Sequence, residues 1–290
     1  MLKIHKQPFI QEVFDKRLNN VKLFIKREDV IHPLVSGNKW RKLKYNLLAA
    51  KEQGHHTLLT FGGGHSNHIY ATAAAAKETG FNSIGVIRGE ELKYKPLNPT
   101  LDFASVQGMK LHFVSRSAYR DKMAVNFVDQ LKDQFGHFFL IPEGGTNILA
   151  LKGAAEMVDE EIKKFDYVCC SVGTGGPVAG LIQGMQGHGE VFGFSALKGG
   201  FLKDEVQRLI GKKSALTNWQ IIDDYHFGGY AKTTSELRDF TDDFYERHNI
   251  LIEPIYTGKT LFGVFDLIQK GIFKIGSRIL VVHTGGLRPK

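Results

Sequence analysis

The chain has 290 residues, 42% of them apolar and 23% charged, which suits one large or two closely joined globular domains and excludes a disordered or fibrous chain. Its formal charge of +8 is dispersed, because lysines alternate with acids and no block of about five or six basic residues occurs, and this argues against nucleic-acid binding. No run of about 18 apolar residues points to a membrane span and no apolar leader core to secretion; the neighbouring Cys169 and Cys170 read as reduced thiols in an apolar strand, so a cytoplasmic protein is expected.

Taken in chain order, short apolar runs read as strands: "VKLFIK", "HTLLTFGGG", "NSIGVIRG", "KLHFVS", "HFFLIPEGG", "YVCCSVGTGG", "VFGFSAL" and "RILVVHTGG". Helical periodicity predicts helices at 40–53, 67–79, 119–135, 147–163, 177–186, 234–248 and 259–270, several closed by a glycine such as Gly54, Gly80 or Gly271. The stretch "ELKYKPLNPT" has two prolines and no period, so a surface loop is expected there. This βαβα alternation implies an α/β fold with a mainly parallel sheet. Many of the 32 glycines follow strands directly: Gly62 to Gly64, Gly144 with Gly145, Gly173 with Gly175 and Gly176, and Gly285 with Gly286. In open α/β sheets ligands bind at that edge.

Three stretches carry candidate chemistry. In "SVGTGGPVAGLIQG" a strand ends in a glycine turn that opens a helix, a geometry that offers free N–H groups and a positive dipole end to an anion. It matches neither the P-loop nor the dinucleotide fingerprint, so a single phosphate fits better than a nucleotide; the same turn could also serve only as a tight connection. In "SGNKWRKL" Lys39 stands at a helix start with Arg41 and Lys42 nearby. Dipole and cations should both lower its pKa, as a Schiff-base lysine requires. A phosphate cradle and a primed lysine together suggest pyridoxal phosphate, with Lys42 as a second cation near the phosphate. In "GGGHSNH" Ser66 and Asn67 read as a helix cap, or as holders of a substrate carboxylate through Ser66 and of a cofactor phenolic oxygen through the Asn67 amide.

With "PEGGTN", "PIYTGKTLFG" and "HTGGL" following in order, the chain resembles the 1-aminocyclopropane-1-carboxylate deaminase and D-cysteine desulfhydrase family, of the tryptophan synthase β-like fold (fold type II) of pyridoxal phosphate enzymes, from about residue 5 to Leu287. The resemblance implies two α/β domains with mainly parallel sheets: a large cofactor-binding domain of residues 1–45 and 143–290, and a small one of 46–142 that closes over the site. It implies a homodimer, and that Lys39 holds the cofactor covalently, Lys42 with Gly173, Thr174, Gly175 and Gly176 holds the phosphate, and Asn67 meets the phenolic oxygen. Ser66, Tyr230 of "HFGGYAK" and Tyr256 of "PIYTGK" match its active-site serine and tyrosines, and His68 is expected beside Ser66 and Asn67 in the substrate pocket. Pro177 departs from the usual Ser or Thr and brings neither hydroxyl nor N–H. Thr257 and Thr284 match desulfhydrases rather than deaminases, which carry Glu and Leu there. The resemblance thus implies α,β-elimination from a small D-amino acid such as D-cysteine, with Thr284 at the pyridine nitrogen and Thr257 on the same wall; deamination of the cyclopropane substrate, or a non-catalytic binding protein of the same fold, is the alternative. No metal is expected.

Overall fold

The structure, a computed structural model, describes residues 1–287. Among them ten strands form two sheets. Strands β1 (Ile10–Val13) and β2 (Lys22–Lys26) open the chain; β3 (Thr57–Gly63), β4 (Asn82–Arg88), β5 (Met109–Val114) and β6 (Phe139–Ile141) come next, followed by β7 (Tyr167–Val172), β8 (Glu190–Ser195), β9 (Trp219–Ile222) and β10 (Arg278–Val282). The larger sheet runs β1-β2-β10-β7-β8-β9, parallel except for the β1–β2 pair. The smaller runs β5-β4-β3-β6 and is parallel throughout. Both sheets are the mainly parallel α/β arrangement expected from the alternation of elements.

The helices are α1 (Asn38–Glu52), α2 (Asn67–Thr79), α3 (Pro99–Val106), α4 (Arg116–Arg120), α5 (Val125–Phe135), α6 (Ile148–Ala155), α7 (Gly176–Met185), α8 (Leu202–Ile210), α9 (Ser235–His248) and α10 (Thr257–Gln269). Four differ from the periodicity, among them α8, where no helix is expected. The helix expected over 119–135 is two, because the N–H groups of Asp121 and Lys122 turn back to the carbonyls of Ala118 and Tyr119 and end α4. The one expected over 147–163 stops at Ala155, and Asp159 then captures the N–H groups of Glu161 and Ile162 to start a separate turn. The expected loop contains the start of α3, where Asn98 caps Thr100 and Leu101 and Pro99 occupies the first turn; proline there gives up an N–H that would be unpaired anyway.

Strand β7 is buried along its whole length, as a central parallel strand covered on both faces must be. Tyr167 and Cys169 face one core, Val168, Cys170 and Val172 the other. Both thiols are free, and burial pushes that of Cys170 up to about 12, so it stays protonated. On one flank α1, α6 and α7 approach closely: a Cβ on Gly153 would strike the Arg41 carbonyl, and one on Gly180 would strike Ala154. This packing carries the side chains of α1 to the start of α7. Among the described residues no helix is long and apolar enough to cross a membrane.

Candidate active site

The start of α1 is pinned by the far end of the chain. Gly37 has φ +59°, and a Cβ on it would strike the Thr284 carbonyl; only glycine fits there without strain. The Asn38 N–H donates to that same carbonyl (3.0 Å), and the Thr284 hydroxyl lies 3.2 Å from that of Ser171 at the end of β7. Lys39 Nζ donates to Asn38 Oδ1 (2.8 Å) and shares a cavity with Ser36, Asn67, Tyr70 and Gly286. Desolvation lowers its pKa to about 8. The expected direction holds, but its cause is corrected. Arg41 does not press on Lys39, because its guanidinium is engaged by both oxygens of buried Glu28 (2.9 and 3.0 Å).

Lys42 is 1% exposed, and its Nζ donates to two hydroxyls, Thr146 (2.7 Å) and Thr174 (3.2 Å). Those oxygens lie 2.6 Å apart. Burial, and secondarily Lys39, holds its pKa well below the ordinary lysine value. An ammonium kept among neutral groups costs on the order of several kcal/mol in lost hydration. An anion docked beside it would recover much of that. The site for one is adjacent: Gly175, at φ +75°, precedes α7 without a side-chain cap, and the position of a Gly176 Cβ is 3.1 Å from Thr146 Oγ1 and 3.3 Å from Lys42 Nζ. Pro177 brings no N–H to this turn. Thr146 brings a hydroxyl to the same place.

The turn after β3 is built otherwise. Ser66 Oγ accepts the N–H groups of His68 (3.2 Å) and Ile69 (3.3 Å) and so caps α2 itself. Asn67, the first residue of α2, lines the Lys39 cavity. His68 is held in the wall at 2% exposure, its Nε2 2.8 Å from the Thr60 hydroxyl, and burial, then Lys39 and Lys42, keeps its pKa well below the usual value. The imidazole next to the two lysines is therefore neutral.

The remaining wall comes from the start of α10. Glu253 gathers the N–H groups of Ile255 (2.6 Å), Tyr256 (2.9 Å) and Thr257 (2.7 Å). Burial pushes its carboxyl up to about 7 against those bonds. Tyr256 leans over the glycine turn, its Cε1 3.2 Å from the position of a Gly173 Cβ, and burial raises its phenol pKa. Tyr230, 47% exposed, packs with its ring centroid 6.2 Å from that of Tyr256. Thr257 is fully buried beneath this layer. The position of a Gly286 Cβ falls 3.3 Å from Glu253 Cγ and 3.4 Å from Asn67 Nδ2, so both sheets contribute to one cleft.

Residues 3–285 match the family described as pyridoxal-phosphate dependent enzyme. The chain belongs to that family. Within it, the pyridoxal-phosphate enzyme groups with 1-aminocyclopropane-1-carboxylate deaminases and D-cysteine desulfhydrases. It is 31% identical over 293 residues to the Arabidopsis thaliana protein named bifunctional D-cysteine desulfhydrase/1-aminocyclopropane-1-carboxylate deaminase, mitochondrial, a match that covers 93% of this chain and 73% of that one. It is 28% identical over 289 residues to the D-cysteine desulfhydrase of Klebsiella pneumoniae, covering 91% and 86%. The crystal structure of an ACC deaminase homologue superposes with a TM-score of 0.81 at 28% identity, covering 99% of this chain and 91% of the other.

The residues of this pyridoxal-phosphate enzyme fit the cofactor: a buried cation faces an uncapped glycine turn for the phosphate, and an amine of lowered pKa shares a cavity with Asn67. Sequence reasoning passed over Thr146 and Glu253. Thr146 stood inside the quoted "PEGGTN". Glu253 had the mark of a helix-start acid, a carboxylate just ahead of a proline and an apolar helix.

Proposed function

We propose that this enzyme catalyses α,β-elimination from a small D-amino acid, D-cysteine above all, with one water consumed and pyruvate, ammonia and hydrogen sulfide released. The observation that carries this reading is the pair Thr257 and Thr284. Thr284 keeps a hydroxyl beside Ser171 at the end of β7, where a group facing a pyridine nitrogen would stand. A hydroxyl there leaves that nitrogen less protonated than a carboxylate would. Expelling a thiol tolerates this: its pKa is about 8.5 against about 15.7 for water, and at about 1.36 kcal/mol per unit even a fraction of the gap favours sulfur as the leaving group.

The cofactor, when bound, supplies the electron sink that makes the Cα proton of an amino acid removable. Lys39 would hold it covalently and, once displaced by the substrate amine, take that proton at Nζ. Lys42, Thr174 and the turn Gly173, Gly175 and Gly176 would hold the phosphate, with the Thr146 hydroxyl beside them. Asn67 would donate to the phenolic oxygen. The Ser66 oxygen is occupied by two N–H groups, which leaves its proton for the substrate carboxylate. Tyr230 and Tyr256 would flank the substrate and supply a proton to the departing sulfur, Thr257 would line the wall beneath them, and His68 would back the pocket as a neutral ring. Residues 46–142, which contain the smaller sheet, would form the unit that closes over the cleft and excludes water, and the assembly would be a homodimer.

A coupled pyruvate assay across D-cysteine, β-chloro-D-alanine and 1-aminocyclopropane-1-carboxylate tests the choice. D-cysteine should turn over fastest. Faster turnover of the cyclopropane substrate would replace this reading with deamination.

A further inference from the structure

We propose that Lys259 is a positioning residue, whose buried ammonium clamps the strained loop 226–231 from inside α10 and so sets Tyr230 over the reaction site. The inference rests on the reading of Tyr230 given above.

The loop does not rest in ordinary backbone. Phe227 (φ +51°), Gly228 (+90°), Gly229 (+112°) and Ala231 (+56°) all lie in the left-handed half of conformational space. For the two non-glycine residues this is unfavourable, and such conformations persist where surrounding contacts over-determine them. The loop's own turns are few: Gly228 N–H donates to His226 Nδ1 (2.9 Å), Gly229 N–H to the His226 carbonyl (3.0 Å) and Lys232 N–H to the Gly229 carbonyl (3.2 Å). Lys259, 1% exposed, donates from Nζ to those same two carbonyls, both at 2.8 Å. Charge-assisted bonds of this kind are about twice as strong as neutral ones. One helical turn later Phe262 meets the Phe227 ring edge-on at 5.0 Å, so a single face of α10 holds the loop by charge and by packing.

The consequence is geometric. Helix α10 places Tyr256 directly, at its N-terminal boundary, and Tyr230 indirectly, through Lys259. The two rings then meet across the cleft. A methionine would fill a similar volume and avoid a buried charge. What it would lose is the pair of carbonyl contacts that hold the loop's shape.

The test uses the holoenzyme with D-cysteine as substrate. Lys259→Met should lower kcat/KM by about 10- to 100-fold, the scale of a misplaced reacting group, mostly through kcat, with cofactor content unchanged. Hydrogen exchange in the peptide spanning 223–233 should accelerate while that of α1 and α7 does not. Combined with Tyr230→Ala, Lys259→Met should add about twofold or less, because both changes remove one function. Lys259→Gln, which keeps a donor but not the charge, serves if Lys259→Met does not fold, and should fall between the two. Full additivity with Tyr230→Ala, or unchanged exchange in 223–233, overturns the clamp while leaving the reading of Tyr230 intact. A kinetically silent Tyr230→Ala overturns that reading, and this inference with it.

Discussion

The strand–glycine–helix junctions after β3 and after β7 both face the cleft, and they are built for different work. After β3, Ser66 caps α2 with its own side chain and takes two of the helix's free N–H groups. After β7, Gly175 leaves α7 without a side-chain cap, and buried Lys42 is brought against the opening by α1. A self-capped helix start has little left to offer a dianion; an uncapped one beside a buried cation has both N–H groups and charge. The contrast supports the proposal that the phosphate would sit at α7, with α2 left to hold weaker, exchangeable groups through Ser66 and Asn67.

Between the two junctions lies Lys39, and removing it should have the largest effect. Lys39→Ala is expected to lower pyruvate formation by about a thousandfold or more, measured by steady-state assay, with the visible colour of covalently held cofactor lost and the circular dichroism of the chain unchanged. Next is Lys42→Met, which should weaken pyridoxal phosphate binding by roughly 10- to 100-fold, the worth of about 1.5–3 kcal/mol for hydrogen bonds to a charge. Fluorescence titration against pyridoxal, which lacks the phosphate, makes the control, and equal losses for both ligands would erase the contrast between the junctions.

The pH dependence is smaller and has a definite sign. Burial lowers the Lys39 pKa from the ordinary lysine range to about 8, so the neutral amine is the minority form below that point. Cofactor capture by the apoenzyme should accelerate about tenfold per pH unit approaching 8 and level off above it. A stopped-flow profile with no break in that range would remove the role given to burial. The smallest effect belongs to the self-capped junction. Ser66→Ala should cost about 1 kcal/mol in stability, read by urea unfolding, and should raise KM for the amino acid while pyridoxal phosphate affinity stays near that of the parent.

Much of this site is legible in the residues alone, because its pieces are local. The glycine turn of 173–176, the lysine of "SGNKWRKL" and the cap of "GGGHSNH" each declare themselves within a dozen residues. The errors are equally physical. Arg41 read as a cation crowding Lys39 because Glu28, its partner, is 13 positions away. The long helix over 147–163 broke because Asp159 found local N–H groups to cap, a competition between side chain and helix that hydrophobic period does not register. Thr146 escaped notice because its partner Lys42 is 104 residues distant.

By itself the sequence determined the α/β class, pointed to the cofactor and singled out Lys39 as the lysine proposed to hold it, since strand period, turn chemistry and helix start are set by neighbours along the chain. Tertiary structure alone decided which glycine junction is left open to an anion, what burial does to Lys39, and how Lys259 reaches back to the loop of Tyr230. Those outcomes depend on desolvation and on partners that packing brings together from distant segments.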